Sequence, residues 1–200
     1  MTDFREEVRR LREYQQVAKV GQIARRLFAM NSFDGILTIL GVLVGNYLAD
    51  VRTPTVIIVT GLATSISMGV SGLWGAYLTE SAERQKSLDD LEGITLTDLS
   101  DTRIGRASRV AVVIIAAVDG FAPLLASILV LLPFFLTTLW GDVLYSYYLA
   151  LAIAMLSLFG LGAFLGRISR QNIVIAGLKM IVAGVVALLL SYLIENAINA

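Results

Sequence analysis

Three ionisable residues stand inside otherwise apolar stretches: Asp34, Asp119 and Lys179. A charge at membrane depth is costly and is a functional candidate by default. Asp34 lies eight residues past Arg26, Asp119 ten past Arg109 and Lys179 nine past Arg170. At about 1.5 Å per residue, all three fall roughly 12–15 Å from a basic boundary. Carboxylates there can hold a hard cation or a proton. No basic residue within its own stretch neutralises Asp34. Asp119 and Lys179 read equally well as a structural ion pair that fixes helix packing, because breaking a buried pair is destabilising without any transport role. Pro123 adds a local argument. It has no N–H for the carbonyl four residues earlier, which belongs to Asp119, so carboxylate and carbonyl could form one cation or proton site. The bland alternative is a kink whose carbonyl a neighbouring hydroxyl serves. Met68 lies 12 residues before Glu80, among Thr64, Ser65 and Ser67. A thioether there is either packing or a soft ligand beside a polar helix face.

Other chemistry is excluded by composition. The chain has no cysteine and no histidine. Disulfides, thiol nucleophiles, zinc-finger spacing and a Ser-His-Asp triad are therefore ruled out. Metal ions can be held only by carboxylates, carbonyls, hydroxyls or thioethers. No enzymatic activity and no bound cofactor are expected.

These residues must be positioned by elements, and composition says which. Apolar residues make up 56% of the 200 residues and charged ones only 16%, against about 25% charged in a soluble domain. A water-soluble fold of this size could not hide that apolar surface. An ordinary cytosolic enzyme, a disordered chain and a nucleic-acid binder are disfavoured. Five apolar stretches, roughly 31–49, 54–79, 108–136, 143–166 and 172–194, each reach about the 20 residues that cross a bilayer. The expected fold is an all-α integral membrane protein with five transmembrane helices, forming one domain over 31–200. Pro123 and Pro133 offer kinks in the long third span. Residues 1–30 read as a basic amphipathic helix, lying on the bilayer or docked on the protein's own cytosolic face. They lack the pattern of a secretory signal. The loop 80–106 is polar and acidic. Its start should continue the second helix, and Thr97, Ser100 or Asp101 could cap a short helix leading into the third span.

Sixteen Lys and Arg balance sixteen Asp and Glu. The zero conceals a partition. Fourteen basic residues fall on one side of the predicted membrane, Arg52 alone on the other, and Lys179 within a span. The positive-inside rule then predicts a cytosolic N-terminus, a cytosolic 80–106 loop and a C-terminus outside or in a lumen. Glycines supply packing surfaces: Gly41 and Gly45 in the first span, Gly69 in the second, Gly162 and Gly166 in the fourth. An Asp-Gly pair recurs at 34–35 and 119–120, a faint internal echo of the kind repeated transporters show.

The order of these segments resembles the vacuolar iron transporter family. FDGILTILGVLVG (33–45) resembles its Asp-Gly opening, ISMGVSGLWGAYLTESAE (66–83) its Ile-Ser-Met-Gly segment and Tyr-Leu end, and LFGLGAFLGRISR (158–170) its Gly-Arg exit. GLKMIVAGVVALLLSYLI (177–194) is also similar. The resemblance implies a homodimer that exports Fe²⁺ or Mn²⁺ from the cytosol in exchange for protons. It implies Asp34 and Met68 as metal ligands at the dimer interface, with Glu83 opening an acidic cytosolic extension. Two departures stand out. Gly72 occupies the place of a family glutamate four residues after the methionine, which leaves Asp119 as an auxiliary or proton-linked ligand. The 80–106 loop is too short for the larger cytosolic metal module, so Glu80 and Glu83 would attract cations weakly or simply be solvated. The expected partners are the lipid bilayer, a divalent metal ion, protons and a second copy, with no nucleic acid. The compact loops suggest a prokaryotic plasma membrane. The rival readings are a non-transporting membrane scaffold and a transporter of another solute.

Overall fold

A computed structural model describes residues Val20–Asn199. Five long helices and one short one account for nearly all of them, and no strand occurs among the described residues. The helices are α1 (Val20–Leu48), α2 (Pro54–Thr95), α3 (Arg103–Phe135), α4 (Thr137–Trp140), α5 (Val143–Ile168) and α6 (Ile173–Asn199). All but α4 are long and apolar enough to cross a bilayer. The expected five-span, all-α fold is therefore observed.

Boundaries differ in instructive ways. The first span was expected from 31, after a separate surface helix over 1–30. Instead α1 runs unbroken from Val20. Nothing near residue 31 stops a helix, since the first proline in the chain is Pro54. The remainder of the predicted amphipathic helix, residues 1–19, lies outside the described residues. The second helix does continue past its span, reaching Thr95. No separate short helix precedes the third span. Thr102, rather than Thr97, Ser100 or Asp101, caps α3, its Oγ1 accepting from the Gly105 N–H at 3.4 Å. Asp142 caps α5 and Asn172 caps α6 in the same manner.

Along α2, Trp74 and Tyr77 lie 20 and 23 residues beyond Pro54 and are exposed. That is about 30–35 Å of helix, one hydrocarbon core thickness. Amphipathic rings belong at that interface. Beyond them, the helix is polar.

The chain divides into two compact units. One holds the described residues up to Phe28 with Gly69–Phe121. Its core is Val20, Ala111 and Ile115, flanked by Ile23, Leu27 and Ile114. The other holds Ala29–Met68 and the chain from Ala122 onward. Its core includes Ile36, Leu40, Ile57, Leu131, Phe134, Tyr147 and Leu158. Within it, Gly162 and Gly166 bring α5 against α6 at Ala176, as their spacing suggested. The α1–α2 turn is held by Tyr147, whose hydroxyl donates to the Val51 carbonyl at 3.0 Å. In the same turn Arg52 donates to Asp50 at 2.7 Å, which raises the guanidinium pKa above its ordinary value.

Candidate functional site

Asp34 lies 14 residues before the end of α1, and Met68 lies 14 residues after the start of α2. The two helices are joined by a tight turn, and Asn46 Nδ2 donates to Thr60 Oγ1 across them at 3.4 Å. Carboxylate and thioether therefore sit at one level, each about 21 Å along its helix from the turn.

The Asp-Gly pair in α1 divides labour. A Cβ at Gly35 would lie 2.5 Å from the Pro123 carbonyl oxygen, so only glycine lets α1 and α3 approach this closely. Ser127 reinforces the crossing by donating to the Gly35 carbonyl at 3.1 Å. Gly35 is buried and its neighbour Asp34 is exposed on the single chain. Met30, Asp34, Gly41 and Gly45 are all exposed and share one face of α1 within about 60° of helix rotation. Gly41 and Gly45 meet no other helix, since a Cβ on either would find nothing within 4 Å among the described residues. Their packing surface is open among the described residues, unlike that of Gly162 and Gly166.

Met68 is half-buried. The hydroxyls expected to make its helix face polar are partly spent within α2. Ser65 is buried and donates to the Gly61 carbonyl at 2.7 Å, and Thr64 donates to the Thr60 carbonyl at 2.9 Å. Ser67 is exposed.

Asp119 is the central residue of α3, 16 residues from each end. It is half-buried, and its carboxylate and main-chain carbonyl lie over Gly72 of α2. The position where the family pattern was broken is thus the position that Asp119 covers. Sequence reasoning missed that contact. Its only trace was the coincidence of an added carboxylate and a lost one.

Lys179 is exposed, only six residues into α6. Its side chain can snorkel toward the near interface from there. Glu80 forms an ion pair with Arg84 at 3.0 Å, one turn along α2, and Glu83 is exposed. Among the described residues no three carboxylates cluster closely enough to hold a metal ion. A cavity of about 160 Å³ lies elsewhere, lined by Leu40, Leu43, Tyr47, Tyr147, Leu151 and Leu188 among others. It is apolar and contains none of the predicted ligands.

Beyond the second span, the loop 96–102 is tied by acids. Glu92 accepts from the Leu99 N–H at 2.7 Å and Asp98 from the Ser100 N–H at 2.8 Å. The hydrogen bonds from Ser100 hold the Asp98 pKa below its ordinary value.

Comparison with known proteins bears on the family of the chain. The model of the VIT family matches residues 98–196. The uncharacterized protein MJ0645 of Methanocaldococcus jannaschii is 31% identical over 184 residues, covering 88% of this chain and 91% of that protein. Membership of this family makes the chain a multi-pass membrane protein of a metal-ion transporter type. With five apolar helices in the expected order and a near full-length relative, the chain belongs to the VIT family, the vacuolar iron transporters.

Proposed function

We propose that this protein exports Fe²⁺ or Mn²⁺ from the cytosol in exchange for protons, as a homodimer in a prokaryotic plasma membrane. The observation that carries the reading is Asp34: a carboxylate at the midpoint of a spanning helix, on an exposed face, level with Met68. A lipid-facing carboxylate at that depth would cost about 2.5–3.5 kcal/mol. A second copy or a bound cation offsets that cost. A thioether beside a carboxylate selects borderline divalent ions over Mg²⁺ and Ca²⁺. Asp119 serves as the auxiliary or proton-linked ligand, and Glu80 and Glu83 lie toward the cytosolic entry. Lys179, exposed and near the start of its helix, balances charge at the interface. The N-terminus is cytosolic and the C-terminus outside. The scaffold alternative draws on the missing glutamate and the short 80–106 loop, and the seating of Asp119 over Gly72 supports transport against the first of these.

The test is flux of Fe²⁺ and Mn²⁺ in proteoliposomes, with and without a pH gradient. Uptake that rises with an opposing proton gradient is expected. Flux indifferent to the gradient overturns the antiport, and no flux of either ion overturns the transport reading.

A further inference from the structure

Within the unit containing Gly69–Phe121, α2 and α3 approach closely at glycines on both helices. A Cβ at Gly120 would lie 2.6 Å from the Leu73 Cβ and 2.7 Å from the Gly69 carbonyl oxygen. A Cβ at Gly72 would lie 2.8 Å from the Asp119 carbonyl oxygen and 3.3 Å from Asp119 Oδ2. Both glycines let the two backbones approach, and Gly72 also has a carboxylate oxygen beside it. Gly120 sets the spacing of the helix backbones. Gly72 leaves a gap, and what fills that gap is the carboxylate and the carbonyl of one residue.

We propose that Gly72 is a positioning residue for Asp119: the side chain it lacks is the seat that holds two hard oxygen donors, one carboxylate and one carbonyl, where a divalent cation can be bound. The proposal rests on the metal-transport reading above. The chemistry of the donors supports it. Residue 123 is proline, so α3 supplies no N–H from that position to the Asp119 carbonyl. Carboxylate and carbonyl oxygens are the donors that divalent ions take. Binding geometry tolerates shifts of only about 0.5 Å. An added methyl group at 72 contacts the carbonyl oxygen below van der Waals distance, so it must move Asp119 or part the helices. α2 thus contributes to the site by an absence, and the ligand comes from α3.

The experiment uses the full chain in proteoliposomes with Mn²⁺ as the probe. Wild type, Gly72→Ala, Asp119→Asn and the double variant are compared, with Gly120→Ala as a packing control. The readouts are KM and kcat for Mn²⁺ and the Mn²⁺-induced thermal shift. Gly72→Ala is expected to raise KM about 10–100-fold, as loss of a ligand-orienting group does, with a smaller change in kcat. Added to Asp119→Asn it is expected to do little more, because residues acting through one group are not additive. Gly120→Ala lowers the melting temperature, and its effect multiplies with that of Asp119→Asn. Should Gly72→Ala fail to assemble, Asp119→Glu moves the same carboxylate by one methylene and is expected to raise KM similarly. A wild-type KM in Gly72→Ala or in Asp119→Glu overturns the proposal, as do Gly72 and Asp119 effects that multiply. Wild-type protein with neither flux nor a thermal shift overturns the transport reading, and this proposal with it.

Discussion

Asp34 and Gly35 are consecutive residues with opposite duties, and substitution separates them. Asp34 is exposed, so no packing among the described residues needs its carboxylate. Asp34→Ala should leave the melting temperature in detergent unchanged or higher, while metal flux in proteoliposomes is lost. A destabilised Asp34→Ala, or one that still transports, would remove Asp34 from the site. Lys179 supplies a contrast. A buried ion pair broken at one partner costs about 3–5 kcal/mol. An exposed lysine six residues into its helix should cost within about 0.5 kcal/mol when replaced. Denaturation of Lys179→Gln decides between the two, and the smaller value is expected. A loss of several kcal/mol would establish the Asp119–Lys179 pair.

At the scale of elements, the glycines sort into those that meet a neighbour and those that meet none. Gly35→Ala must displace the Pro123 carbonyl, and overpacking of this kind costs about 1–3 kcal/mol. Thermal melts should show that loss, and a wild-type melt would mean the α1–α3 crossing is looser than described. The loop after α2 responds to acid. The Asp98 pKa is depressed by its Ser100 hydrogen bonds. A depressed carboxylate stabilises at pH values above its ordinary range, and that contribution is lost as pH falls through the folded value. The protection of the Ser100 amide, its exchange measured against the intrinsic rate at the same pH, should therefore fall in acid, and Asp98→Ala should show the lower protection already at neutral pH. The spans themselves were legible because a bilayer imposes a length that any apolar run reveals. The start of α1 was not, since charge between 20 and 30 marks an interface but does not end a helix. The cap at Thr102 was obscured by four neighbouring polar residues of equal capping quality. Two close contacts, Gly35 on Pro123 and Gly72 under Asp119, join residues 88 and 47 positions apart. No local pattern encodes such pairings. The sequence could show only that each glycine was permitted, not what it faced.

For the molecule as a whole, the open face of α1 poses the remaining question. Met30, Asp34, Gly41 and Gly45 align on it, and among the described residues no helix covers the two glycines. Close helix contact through small residues is favourable in lipid, and a carboxylate exposed to lipid is not. Both terms favour covering this face with a second copy, whose Asp34 would then lie near the first, two carboxylates around one potential ion path. Like charges at that distance repel unless a cation or a proton lies between them. Dimerisation and metal binding are then coupled: each ion bound at the interface stabilises the dimer, by about 2.7 kcal/mol at a hundredfold excess over Kd. Gly41→Leu, which fills space left open in the single chain, should preserve helix content, shift the protein in nanodiscs from dimer toward monomer, and abolish the Mn²⁺-induced thermal shift. Added Mn²⁺ should move the wild-type equilibrium the other way. A Gly41→Leu protein that remains dimeric with an unaltered Mn²⁺ response would place the interface, and with it the Asp34 pathway, on another face of the molecule.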